Sequence, residues 1–139
     1  MCQHLRLSET FARRVLSIFF VTAGAMHFVV PEIYIRIVPP HLPYPALIVL
    51  LSGIAEIAGG LGLLFPLTRR AAAWGLVILL LAVFPANIYM AAAHLPFAGL
   101  FGKSWLQWLR LPLQFPLIYW TYLYTRKRTV PRRVEHSSA

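Results

Sequence analysis

Cysteine is nearly absent from this 139-residue chain, where Cys2 is the only one. A single thiol excludes an intrachain disulfide framework and any CxxC redox pair. Acidic residues are also scarce, four against thirteen Lys and Arg, and charged residues make up only 12% of the chain. With 59% hydrophobic residues, too little charge remains to solvate a soluble domain of this size. There is no phosphate-binding glycine loop, no GxSxG, no HExxH and no HxxxH spacing, so nucleotide, serine-hydrolase and zinc-protease chemistry have no sequence support. No metal or haem is expected. The net charge is +9, but the basic residues gather at the ends of apolar runs, as the positive-inside rule requires, and nucleic acid is not an expected partner.

What the chain does have is four apolar blocks of about 16–23 residues, the length that crosses about 30 Å of hydrocarbon. Only helices and closed barrels satisfy backbone polar groups in lipid, and these blocks lack barrel alternation. The expected fold is therefore all-α: a four-helix transmembrane bundle in one domain over residues 15–125, between a basic leader (1–14) and a basic, polar tail (126–139). The spans are expected at residues 15–30, 46–65, 71–93 and 104–125. A signal peptide competes for the first, since Arg13-Arg14 precedes the apolar run and Ala23-Gly24-Ala25 resembles a cleavage site. The run continues past that site to Val30, and an uncleaved span is expected.

Proline punctuates the blocks. Residues 31–45 carry five of the eleven prolines. Pro31 and Glu32 suit the first turn of a short helix through about Val38, and Pro39-Pro40 stops it. Pro66 closes the second span, and the link at 67–70 is short enough to force an antiparallel return. Pro85 leaves the carbonyl of Leu81 without its helical donor and is expected to bend the third span. Leader, link and tail hold three, two and five Lys or Arg, ten in all, whereas the other two loops hold only Arg36 and Lys103. That bias predicts both termini in the cytoplasm and an integral protein of the plasma (bacterial inner) membrane.

Inside the second span, the run 51–64 is apolar except for Ser52 and Glu56. An ionisable residue at that depth costs about 2.5–3.5 kcal/mol on insertion scales. Ser52, Gly53, Gly59 and Gly60 share its helical face and are small enough to let another helix approach. In the fourth span Gln107, Arg110 and Gln114 fall within about 60° of one another, opposite Trp105, Trp108, Pro112 and Pro116. Counting about 1.5 Å per residue, Glu56 and Gln114 lie about 15 Å below the outer boundary, Arg110 and Asn87 about 9 Å, and His27 about 5 Å. His27, Glu56, Asn87, Arg110 and Gln114 thus share the outer half, and they are the expected polar network and candidate ligand-binding set, with Glu56 and Arg110 as an ion pair. Bland readings stand beside this one. Arg110 can snorkel to the interface, His27 can be an interfacial hydrogen-bonder, and the whole network can be polar glue between helices.

Six segments in this order carry a family resemblance: AGAMHF (23–28), IVPPHLP (37–43), the run 51–64 with its central Glu56, PLTRR (66–70), FPANIYM (84–90) and LRLPLQ (109–114). Together they resemble the DoxX-like superfamily of small four-span membrane proteins, over about residues 13–125. The resemblance implies a four-helix membrane bundle and a redox setting, since members include a subunit of a thiosulfate:quinone oxidoreductase, and a related branch, MauE, serves methylamine dehydrogenase maturation. It maps the family's polar positions onto the same five residues. With no cysteine in a span, this chain departs from any thiol-based role.

Two functions follow as expectations. One is the membrane subunit of a redox system, with a small-molecule, quinone-like site in the outer half of the bundle. With no motif for a bound cofactor, the chain would be at most part of an oxidoreductase complex. The alternative is a non-catalytic accessory or assembly protein that binds a partner membrane protein through small faces such as Ala55/Gly59, Ala58/Gly62 and Ala71/Gly75. The expected partners are the lipid bilayer, a small amphiphilic ligand and a membrane-protein partner. The ion pair has a direct test in a detergent melt. Glu56→Gln or Arg110→Gln alone should cost about 3–5 kcal/mol and the double change less, whereas harmless single changes would exclude the pair.

Overall fold

The structure, a computed structural model, describes residues 2–93 and 104–126, with side chains for residues 9–93, 108–109 and 111–126. The loop around His94 and Lys103, the tail beyond Arg126, and the side chains of Gln107 and Arg110 lie outside the described residues. The described residues form five helices and no strand: α1 (Cys2–Val29), α2 (Pro31–Ile37), α3 (Pro45–Gly62), α4 (Arg69–Ala92) and α5 (Ser104–Leu123).

The helix ends follow local chemistry. α1 already begins at Cys2, so the stretch read as a leader is helical and continuous with the first span. It stops where Pro31 starts α2, and Glu32 lies in the first turn of α2, favourable for the helix dipole. Val38 caps α2 in an extended conformation just before Pro39-Pro40, as expected for a residue that precedes proline. α3 ends at Gly62, earlier than the expected residue 65. Its last carbonyls find side-chain donors across the link. Thr68 Oγ1 donates to the Gly62 carbonyl at 2.9 Å and Arg69 Nε to the Leu63 carbonyl at 3.3 Å. α4 runs through Pro85, and α5 through Pro112 and Pro116, without a break.

Among the described residues, three helical segments are long and apolar enough to cross a membrane: Glu9–Val29, Pro45–Gly62 and Arg69–Ala92. The expectation of four is met in three. α5 has the length, at 20 residues, but Gln107, Arg110, Gln114 and its tryptophans and tyrosines keep it less apolar than the others. The outer faces are apolar too: Ile18, Leu51, Ile54, Ile78 and Leu81 are each at least half exposed. That is the surface a lipid environment would cover.

α1 packs along α3, α3 against α4, and α4 against α5, while α2 covers one end of α1, α3 and α4. α1 and α5, the outer members of this order, do not pack along each other among the described residues. At the end away from α2, large side chains fill the space between them. Leu16, Phe20, Leu63, Ala73, Leu76 and Leu80 form the buried core, and Leu117, Ile118, Trp120 and Tyr124 pack onto it.

Another helix does approach the small face around Glu56: α1 lies against Gly53 and Gly60, while Gly59 of the same face meets α4. A Cβ on Gly24 would lie 2.7 Å from the Gly53 carbonyl oxygen, and one on Gly60 would lie 3.0 Å from the Ser17 carbonyl oxygen. Ser17 Oγ also donates to the Gly60 carbonyl at 2.6 Å. Gly59 faces Leu76 and Gly62 faces Ala72, so both belong to the α3–α4 contact, whereas Gly75 has nothing within 4 Å. Gly24→Ala should therefore force α1 off α3 and cost about 1–3 kcal/mol. Gly75→Ala should be neutral or gain up to about 1 kcal/mol of helix propensity. Melts of the two variants in one detergent test the difference.

Candidate functional site

The unfilled side between α1 and α5 opens into a cavity of about 620 Å³ at the α2 end, within the usual size range of small-molecule pockets. Its back wall is α3 and α4, with Val49, Ser52, Leu80 and Val83, and α2 roofs it with Tyr34 and Ile37. Phe19 and Ala23 of α1 face Leu113, Pro116 and Trp120 of α5 across the opening. Phe19 is 50% exposed and Leu113 58%, so residues that line the cavity also lie on the bundle surface. The cavity is a cleft that reaches the apolar flank of the protein.

Four of the five expected polar residues line this cleft: His27, Glu56, Asn87 and Gln114. They come from four different helices. The fifth, Arg110, is on α5 one turn before Gln114, and its side chain lies outside the described residues. The structure gives Glu56 a different neighbour, His27, with Nδ1 3.6 Å from Glu56 Oε2. That separation is too long for a hydrogen bond. His27 Nδ1 lies 3.0 Å from the Ala23 carbonyl oxygen. A carbonyl can only accept, so this contact assigns the hydrogen to Nδ1 and leaves Nε2 as the acceptor of the neutral ring.

Asn87 and Gln114 form the second polar pair. Asn87 Nδ2 donates to Gln114 Oε1 at 2.8 Å, and Gln114 Nε2 donates to the Leu80 carbonyl. Leu80 is the neighbour of Leu81, whose carbonyl loses its helical donor to Pro85. The glutamine thus clamps α5 onto the proline-interrupted stretch of α4. The face assignment on α5 also holds for the described residues: Gln114 is 6% exposed and Trp108 52%.

Sequence reading did not single out Tyr34 as a site residue. Its ring stacks on His27, with centroids 3.9 Å apart and planes at 25°. The available signal was the three-residue spacing of Tyr34 and Ile37, which puts both on one face of α2. His41 is exposed in the turn after α2. Among the described residues, no three His, Cys, Asp or Glu side chains are grouped to hold a metal ion.

The arrangement offers a carboxyl, an imidazole and an amide in an otherwise apolar cleft. It can orient a polar head while the walls hold an apolar body, and the carboxyl and imidazole can pass a proton. Gln114→Leu should leave Asn87 Nδ2 without its acceptor and cost about 1–3 kcal/mol. In a double-mutant cycle with Asn87→Leu, the two changes should cost less together than the sum of their separate costs. Additive costs in a detergent melt would exclude the pair.

No curated protein matches the chain, and no solved structure does. A family match covers residues 16–125, from Leu16 in α1 to two residues beyond α5, and so includes every residue of the cleft except Val15. On that match the chain belongs to the family described as a domain of unknown function, DUF8561.

Proposed function

We propose that this is an integral membrane protein whose cleft binds a small amphiphile, quinone-like in size and polarity, as the membrane subunit of a redox system. One observation carries the binding half. Polar side chains from four helices, His27, Glu56, Asn87 and Gln114, face a single apolar cavity. Polar groups are expensive within a membrane and mark functional sites by default. The opening between α1 and α5 gives a membrane-dissolved molecule a lateral way in. The redox half rests on the resemblance of the six ordered segments to DoxX-like proteins.

In this reading α5 is a fourth span, held to α4 by the Asn87–Gln114 pair. Both termini lie in the cytoplasm, supported by the ten-to-two distribution of Lys and Arg. The membrane is then the bacterial inner membrane, and the cleft occupies its outer half.

A second reading, an accessory protein that holds a partner's membrane helix, is favoured by Gly75, whose open surface on α4 can take a close helix contact. The two readings separate on native purification in mild detergent, with mass spectrometry of everything retained. A stoichiometric amphiphile, lost in Glu56→Gln, is the expected result. A stoichiometric protein, lost in Gly75→Leu and with no small molecule, would replace the binding reading with the accessory one. Lipid alone would reduce the polar residues to structural glue.

A further inference from the structure

The polar groups in the cleft are unequally satisfied. Gln114 commits its carbonyl to Asn87 and an N–H to Leu80. His27 commits its Nδ1 hydrogen to Ala23. Glu56 differs. It is only 9% exposed, and its Oε2 is buried with no hydrogen-bond partner among the described residues. A buried carboxyl oxygen without a donor is costly, so a site that keeps one has a donor to meet. The neighbouring His27 nitrogen sits 3.6 Å away with its hydrogen on a carbonyl. The Asn87 amide nitrogen donates to another side chain.

What remains for a ligand is weighted towards accepting. Glu56 Oε2 has no donor among the described residues and His27 Nε2 is the acceptor of its ring, against one further N–H each on Asn87 and Gln114. Glu56 lines the same cavity as Ala23 and Ala86, whose side chains are short.

We propose that the cleft selects an amphiphile whose head donates hydrogen bonds, a hydroxyl or a protonated amine, and that Glu56 is the group that accepts from it. This rests on the reading of the cleft as an amphiphile site, and it makes that reading directional. An amphiphile whose head only accepts, such as a quinone, is the weaker ligand, and its hydroxyl-bearing reduced form the stronger.

A decyl-substituted hydroquinone and the matching quinone test this, since they share one carbon skeleton and differ in two hydrogens. The full chain is placed in nanodiscs of zwitterionic lipid, and ligand retained above empty discs is measured by mass spectrometry under argon. The hydroquinone should bind at least about ten-fold more tightly, a ratio that one additional hydrogen bond supports. In Glu56→Gln, whose amide both donates and accepts, that ratio should fall towards one. Equal binding, or preference for the quinone, overturns the inference and leaves an amphiphile site of opposite polarity. An unchanged ratio in Glu56→Gln overturns the assignment to Glu56. Retention of neither form overturns the amphiphile reading itself. Should Glu56→Gln fail to fold, the wild-type ratio still decides. Dodecylamine should then displace the hydroquinone while dodecyl methyl ether does not, and displacement by both equally would count against the inference.

Discussion

Gly24 on α1 and Gly53 on α3 meet so closely that a methyl group on Gly24 would lie 2.7 Å from the opposing backbone oxygen. Much of the remaining structure follows from that contact. His27 is three residues after Gly24, and Glu56 is three after Gly53. On a helix that spacing keeps each polar residue on the face of its glycine, about one turn along. Because the two helices run antiparallel, each polar residue faces the glycine of the other helix, His27 beside Gly53 and Glu56 beside Gly24, and imidazole and carboxyl come to 3.6 Å. Ser17 and Gly60 repeat the approach further along, with the serine hydroxyl bonded to the backbone across the interface. Without a hydrophobic force between helices in lipid, such backbone proximity is the main source of attraction.

The cleft comes from a contrast in side-chain size. At the end away from α2, Leu16 and Phe20 belong to the buried core onto which Leu117 and Tyr124 pack. One to two turns towards α2, the cavity is lined by Ala23 of α1 and Ala86 of α4 instead. No side chain is long enough there to close the gap. α5 is also held to α4 by Gln114, which is bonded to Asn87 and to the Leu80 carbonyl. Pro85 leaves the adjacent Leu81 carbonyl without its helical donor, so the bond from Gln114 sits beside the weakened point of α4. The open side is thus a product of packing order, α1–α3–α4–α5, and not of a missing residue.

Several features were readable before any coordinates. Apolar runs bounded by Pro31, Pro66 and Pro85, and the short helix beginning at Pro31, follow from the length of a lipid-spanning helix and from the missing N–H of proline. The small face around Glu56 told which side of α3 another helix would approach, because only glycine and serine leave that much room. The depth count put His27, Glu56, Asn87 and Gln114 in one half of the bundle, and those four line one cavity. The count was one-dimensional, however. It ranked residues along their helices but could not say which helices were neighbours, so it did not identify His27 as a neighbour of Glu56. Tyr34 was missed for the same reason, since whether a short helix floats at the interface or folds over the bundle depends on what it meets.

The sequence by itself determined an all-helical chain, its three most apolar spans, and the polar residues that hydrocarbon makes conspicuous. These depend on hydropathy and on period, both of which are local. Tertiary structure decided the order of packing, and with it which glycines are buried. Gly24, Gly53 and Gly59 are in helix contacts while Gly75 is open, although all sit in comparably apolar sequence. It also decided that Gln114 is bonded to two partners while Glu56 Oε2 has no hydrogen-bond partner among the described residues. Whether a polar group is satisfied depends on distances between segments far apart in the chain, and those are fixed only when the helices come together.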